Sequence, residues 1–467
     1  MTAPARGTTG TAVAPVVWMQ CLMLATLVIG EIGGFGVVSL IAAALAVATT
    51  VMQWPRLLPQ ARLFFALAAA GAGAVVVLAP QAIPQLRIAL LQGVGFGALM
   101  MVLGLLRQPV RRAAITRAAA EYLLSCGARG RFAAILSGSH FMSLMFNIGI
   151  IAMIGDLVHA GKGPEARTDP PRRAVVLAAM RGAALATVWS PIGLGFAIVT
   201  AGIPGIPALP FMVLCFGFTL AAMALSALRP MLPAEASGRH SAAPVTTAGQ
   251  GSPKAVAETL AVSALLLGLA IVLHQWLEVS FTIVSVFLLP VFSFIWLALE
   301  SRSEHGALAP RLCNALTAMG DLRSESAIFM SANVIGACLS IAVQASPLWG
   351  AIQSGGFAGL PVLLACLVIV PLVAACYLPN SIVVVMAVQL LRPTPLGQDH
   401  PMALGLTLAV GWAMAIGVSP ISAMTLISGA FCAVPARRIA WGWNVPFVVS
   451  VTALAAVAVT LVYLAGW

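Results

Sequence analysis

Two short stretches carry the residue types from which a site inside a membrane can be built. Arg181 to Gly193 reads RGAALATVWSPIG, and Val410 to Ser422 reads VGWAMAIGVSPIS. In gap-free register 229 positions apart, Gly182, Ala184, Ala186, Ser190, Pro191 and Ile192 fall on Gly411, Ala413, Ala415, Ser419, Pro420 and Ile421. Such self-similarity marks an internal repeat. Proline inside a helix removes a backbone donor and clashes with the preceding turn, so each Ser-Pro is expected to break an apolar helix near its middle. Serine as N-cap and proline after it would open a new half-helix, whose free N–H groups and positive dipole end attract an anion. Paired interrupted helices in two halves are the pattern of a transport site. An ordinary kink closed by neighbouring helices is the alternative, and the duplication weighs against it.

The elements that must position these stretches follow from composition. With 61% hydrophobic and 8% charged residues over 467 positions, the chain is excluded from the soluble globular class, whose charged share is about a quarter. It reads as an all-α polytopic membrane protein. The net charge of +11 needs no nucleic acid, because the basic residues cluster in short loops beside apolar spans, as the positive-inside rule requires. Eight cysteines lie scattered with no C-x-x-C pair, and they serve as apolar fillers. The polar N-terminal segment 1–14 reads as a retained tail, since no small-residue cleavage site follows it.

Spans of about 20 apolar residues are expected over 15–33, 35–52, 63–79 and 88–106. The segment from Arg107 to Phe132 is too basic to span and suits a helix along the cytoplasmic interface. The apolar stretch from Phe132 to Val158 has basic loops on both sides, so it enters and leaves on one face as a re-entrant hairpin. Its middle holds Asn147, with Gly149 as a flexible joint. A single tilted helix would instead put Lys162 outside, against the charge rule. The first broken helix covers 174–203 and a further span 207–228. Residues 229–254, rich in Ser, Ala, Gly and Pro, form a flexible linker. Spans at 255–273 and 281–299, a cytoplasmic loop with Arg302, Arg311 and Arg323, and a helix over 326–343 come next. A second hairpin over 360–391 carries Pro379, Asn380 and Ser381, and its nearly charge-free flanks place its entry on the outer face. Arg437 and Arg438 return the chain to the cytoplasm before the last span. The count is about 11 transmembrane helices plus two opposed re-entrant hairpins, N-terminus inside and C-terminus outside. An odd number of crossings between copies makes the repeat inverted. The units are thus 1–14 tail, 15–34 extra helix, 35–228 first repeat, 229–254 linker and 255–467 second repeat.

Asn147 lies 43 residues before Ser190, and Asn380 lies 39 before Ser419. This order of hairpin tip with central asparagine, loop and proline-broken helix, repeated inverted, resembles the ion transporter superfamily and most closely the divalent anion/sodium symporter (DASS) family. The family's tips carry Ser-Asn-Thr and its breaks Thr-Pro. Here the tips read Phe146-Asn147-Ile148 and Pro379-Asn380-Ser381, so only one flanking hydroxyl is kept, and Ser137, Ser139 and Ser143 are the hydroxyls available to substitute. The resemblance implies substrate contacts at Asn147, Gly149, Ser190, Pro191, Asn380, Ser381, Ser419 and Pro420. It also implies a carboxylate-type anionic solute, sodium or proton coupling, a homodimer in the inner membrane, and elevator-like motion. An inorganic oxyanion exporter or a sodium/proton antiporter stands as the alternative within the superfamily.

Ionisable residues in or near spans are costly and often functional. Arg181 either holds a carboxylate or snorkels to the cytoplasmic interface. His140 is a proton carrier or a hydrogen-bonded structural ring, and Ser143 joins these two as a candidate for ion or proton coupling. Asp156 is read as interfacial, Glu31 as a turn residue and Glu325 as a favourable first-turn acid. Trp189 and Trp412 line the site or pack beside it. No cofactor or resident metal is expected, sodium entering only as a coupling ion. A lipid-modifying enzyme is disfavoured, because no D-x-x-x-D or H-E-x-x-H pattern is present. The expected partners are a small-molecule or ion substrate and the bilayer, with no nucleic acid.

Overall fold

A computed structural model describes residues 15–160, 163–203, 205–236, 251–303, 307–347, 349–350 and 359–466. The tail 1–14, Lys162 and the linker core 237–250 fall outside the described residues. The elements in chain order are α1 Pro15–Ile32, α2 Gly36–Met52, α3 Pro59–Leu78, α4 Ile83–Arg112, α5 Ala114–Ser125, α6 Ala128–Phe146 and α7 Gly149–His159. They continue with α8 Pro170–Ala186, α9 Leu194–Gly202, α10 Ala208–Leu228, α11 Pro253–Leu277, α12 Phe281–Ser303, α13 Leu308–Ala318 and α14 Arg323–Gln344. The last are α15 Leu360–Ala375, α16 Asn380–Leu391, α17 Pro395–Asp399, α18 Pro401–Val418, α19 Ala423–Cys432 and α20 Val445–Leu464. The protein is an all-α polytopic membrane protein. Among the described residues nine helical segments are long and apolar enough to cross a membrane, and the 17-residue α2 with the interrupted α8–α9 pair makes eleven.

An apolar helix of this kind is either central or bathed in lipid, and burial separates the two. An 18-residue stretch within Pro401–Cys432 is 94% buried, whereas one within α3 is 17% buried. The second broken helix therefore lies at the centre, and α3, α11 and α20 lie at the periphery. Close packing at the centre uses small residues, the usual device where no water drives helices together. Gly93 of α4 abuts the Met330 carbonyl of α14, and Ser326 Oγ donates to the Gly97 carbonyl at 2.9 Å. Gly97 and Ser326 are themselves 229 positions apart.

The two broken helices run antiparallel. Arg173, at the start of α8, donates to the carbonyl of Cys432 at the end of α19 at 3.0 Å. At the other end, a β-carbon on Gly205, just past α9, would lie 3.7 Å from Pro401 at the start of α18.

Two helix pairs, α6–α7 and α15–α16, reverse the chain against these helices. Gly182 of α8 lies against Leu136 and His140 of α6. Ser143 and Asn147 line one cavity with Ala183, Ala186 and Thr187 at the far end of α8, and α7 then returns until the Val158 carbonyl meets the Arg172 guanidinium at its start. In the second half Gly359, before α15, lies by Tyr463, whose ring also touches His400 at the start of α18. Val370 then packs on Gly411, and α16 runs back until Val388 faces Gly202.

Three expectations are corrected. The segment between Arg302 and Arg323 is not a plain loop, because α13 lies within it, packed against α4. The helix at 88–106 continues through Arg112, and the basic interfacial stretch folds as the end of α4 plus the amphipathic α5. The start of the linker is pinned: the carbonyls of Pro230 and Met231 accept from Arg181, and Glu235 pairs with Arg438.

Candidate functional site

The first broken helix stops at Ala186 and resumes at Leu194, and the second stops at Val418 and resumes at Ala423. The Ser-Pro pairs do not cap the new half-helices, which corrects the sequence reading. In both breaks the serine carbonyl accepts from the residue three positions on, Gly193 N at 2.8 Å and Ser422 N at 3.2 Å. That is a β-turn with proline at its second position, where its fixed φ fits. The N-caps are therefore Gly193 and Ser422, again 229 apart. Ser422 Oγ accepts from Thr425 N at 3.2 Å. Gly193 has no side chain with which to do the same, so the first N–H groups of α9 lack a side-chain cap.

At the first hairpin tip the expected joint also moves. Gly149 is the first residue of α7, and Asn147 takes the left-handed turn at φ 49°. A non-glycine residue there stores strain, a recurrent feature of functional sites. The second hairpin has its positive φ at Tyr377, 65°, not at Asn380, which opens α16. The positive φ thus falls at Asn147 in one hairpin and at Tyr377 in the other, and Asn380, like Gly149, opens the returning helix. Asn380 Nδ2 is buried without a hydrogen-bond partner, and Ser381 is buried beside it.

Tip and break enclose a cavity of about 20 Å³ lined by Leu103, Ser143, Asn147, Ala183, Ala186, Thr187, Ser190, Ile192 and Gly193. Ser143 Oγ donates to the His140 carbonyl at 2.6 Å, and Thr187 Oγ1 donates to the Ala184 carbonyl at 2.7 Å. Each hydroxyl has its one proton engaged, so it offers the cavity only lone pairs. A volume of this size holds about one water or one bare ion. Asn147, Ser143 and Ser190 of the sequence-derived set are brought together here. Asn380, Ser381, Ser419 and Pro420 do not line this cavity.

The second break is closed by its own groups. Thr425 Oγ1 donates to the Ser419 carbonyl at 2.6 Å, Ser422 Oγ to that of Ile416 at 2.8 Å, and Asn444 Nδ2 to that of Gly417 at 3.0 Å. These carbonyls, released by the break, are satisfied from within the protein. The two copies are alike in backbone and unlike in chemistry.

His140 and Arg181 are both fully buried and neither enters the cavity. Trp189 Nε1 donates to His140 Nε2 at 3.0 Å, and His140 Nδ1 lies 3.2 Å from the Gly182 carbonyl. Because an indole N–H can only donate, Nε2 accepts and the ring proton sits on Nδ1. The geometry is that of a structural ring tying α6 to α8. Arg181 does not snorkel. Its guanidinium donates to Asn444 Oδ1 at 2.9 Å and to the carbonyls of Pro230, Met231 and Trp443 at 2.5, 3.3 and 3.1 Å, and it stacks on Phe447. The turn after α10 and the end of a π-helical stretch Arg438–Trp443 before α20 supply these acceptors, and no local pattern in the chain places them. Trp189 packs edge-on against Phe216 at 4.6 Å between ring centres, and the Trp412 indole lies over Gly195.

Thr187, Gly193, Ser422, Thr425 and Asn444 escaped the sequence reading. Thr187 corresponds to Ile416 across the repeat, so a search for shared residues passes over it. Gly193 and Ser422 were legible as the cap types that close each Ser-Pro turn.

No family model matches the sequence, and no curated protein matches it. Among solved structures, the chain is similar to the Alcanivorax borkumensis YdaH transporter over 86% of this chain and 96% of that chain, at 15% identity and a TM-score of 0.49.

Proposed function

We propose that this chain is a secondary active transporter of the DASS type, moving a small carboxylate-type anion across the inner membrane with sodium as the coupling ion. The observation that carries this reading is the cavity between the Asn147 tip and the first break, where hydroxyls offer only lone pairs and the volume suits one dehydrated ion. A break between two half-helices supplies both signs of charge. The C-terminal carbonyls of α8 favour the cation, and the uncapped N–H groups of α9 favour an anion next to it. In this conformation the organic anion does not fit, so it enters when the hairpin tip and the break separate from their surroundings. The antiparallel broken helices and the Gly97–Ser326 contact support an inverted repeat, with the hairpins re-entrant from opposite faces. The way each hairpin packs along its own broken helix supports elevator-like movement of hairpins and broken helices as one body. A homodimer, with N-terminus inside and C-terminus outside, completes the reading.

The test is uptake into proteoliposomes of labelled mono-, di- and tricarboxylates, sulfonates and oxyanions under a sodium, potassium or pH gradient. Carboxylate uptake that requires inward sodium is the expected result. Uptake driven by the pH gradient alone would replace sodium by protons, and sodium flux without any anion would turn the reading to an antiporter.

A further inference from the structure

Away from the hairpin cavity, α1, α4, α9 and the start of α12 with the turn before it line a second cavity of about 270 Å³. Its lining combines the Glu31 carboxylate, Gln92, Ser280 and Thr282 with apolar walls from Ile88, Phe96 and Ile283. Glu31 stands in the last turn of α1. The end of a helix is its negative pole, so a carboxylate there is locally unfavourable, and a residue chosen for a turn alone would not be acidic.

The surroundings deepen the negative potential. Ala201, in the last turn of α9, also lines the cavity, and Gln92 Nε2 donates to its carbonyl at 3.2 Å. That bond turns the amide nitrogen to α9 and leaves the amide oxygen as an acceptor. Glu31 Oε1 accepts from Ser39 Oγ at 2.9 Å, and among the described residues it has no ion-pair partner. Arg87, one position before Ile88, is turned to the Gly36 carbonyl at 3.5 Å. Thr282 is 4% exposed, and its Oγ1 has no hydrogen-bond partner. A buried orphan hydroxyl is costly to keep unless something meets it.

We propose that this cavity is a binding site for a small organic ammonium ion, with Glu31 as counter-charge and Gln92 Oε1 and Thr282 Oγ1 as further acceptors. One carboxylate and neutral oxygens match a single positive charge whose N–H groups all donate. The volume exceeds the need of a bare metal ion, and among the described residues no group of three or more His, Cys, Asp or Glu could hold one. The apolar walls from Ile88, Phe96 and Ile283 receive the body of the ligand. The site does not depend on the anion-transport reading, because its test measures binding and not flux.

The experiment uses the full chain in nanodiscs, with phenethylammonium as probe and 2-phenylethanol as its uncharged counterpart, by calorimetric titration and thermal stabilisation. Wild type is expected to bind the amine and not the alcohol. Glu31→Gln is expected to weaken the amine by at least about tenfold, the loss of one charge-assisted hydrogen bond. Thr282→Val, which keeps shape and folding, is expected to weaken it by a smaller factor and decides the matter if Glu31→Gln does not fold. Equal binding of amine and alcohol, or amine affinity unchanged in either variant, overturns the proposal. Glu31-dependent stabilisation by sodium chloride and not by the amine overturns it too, in favour of an inorganic cation.

Discussion

Trp189 and His140, 49 positions apart, are joined by a hydrogen bond of 3.0 Å that runs from the broken helix to the hairpin arm. The same ring reaches the Gly182 carbonyl, so one buried imidazole holds the hairpin in register with the helix it packs on. His140→Phe should keep the packing and lose both bonds, lowering stability by about 1–3 kcal/mol and reducing transport. If His140 instead carries the coupled proton, Trp189→Phe will leave the pH profile of uptake intact while His140→Phe abolishes its pH dependence. Uptake by both variants against pH separates the two.

Asn147 offers a separation of backbone from side chain. Asn147→Gly removes the strain at φ 49° and should hold or raise the melting temperature, by up to about 1 kcal/mol in stability. Loss of the amide from the cavity should nonetheless abolish transport. Asn147→Ala should lose both. Asn380→Ala should also lose transport with normal expression; equal activity of the Asn147 and Asn380 variants with wild type would sink the proposed site.

Arg181 binds α8 to the turns on either side of it in space, and its partner Asn444 passes the link on to the Gly417 carbonyl. Arg181→Met leaves buried carbonyls unsatisfied and should cost on the order of 3 kcal/mol. A double-mutant cycle with Asn444→Leu should show coupling of about 1 kcal/mol or more, read from denaturation in detergent.

The two equivalent glycines should not tolerate the same change. A β-carbon on Gly182 would collide with the Leu136 carbonyl oxygen, whereas one on Gly411 would lie 3.4 Å from Val370 Cβ. Gly182→Ala should therefore displace the first hairpin and depress both melting temperature and uptake. Gly411→Ala should be close to neutral in both.

The serines at the two breaks divide in the same way. Ser422→Ala removes an N-cap and should cost about 1 kcal/mol. Ser190→Ala removes no cap, and Ser190 lines the cavity, so sodium affinity should fall while the melting temperature without sodium stays within experimental scatter.

What the sequence determined is what local chemistry determines. Long apolar runs must leave water, a proline removes its own N–H wherever the chain goes, and a motif recurring at 229 positions prescribes the same local turn twice. The two helix interruptions, the chain reversal at Asn147 and the amphipathic stretch before α6 were legible for that reason. Tertiary structure decided everything that depends on a partner far along the chain. Whether Arg181 meets solvent, substrate or a carbonyl cage depends on Asn444, 263 positions away. The likeness of the two Ser-Pro stretches concealed the main asymmetry. Thr425 and Asn444, whose side chains donate to carbonyls of the second break, lie outside the repeated letters. Buried polar groups are satisfied in three dimensions, and no spacing along the chain records with whom.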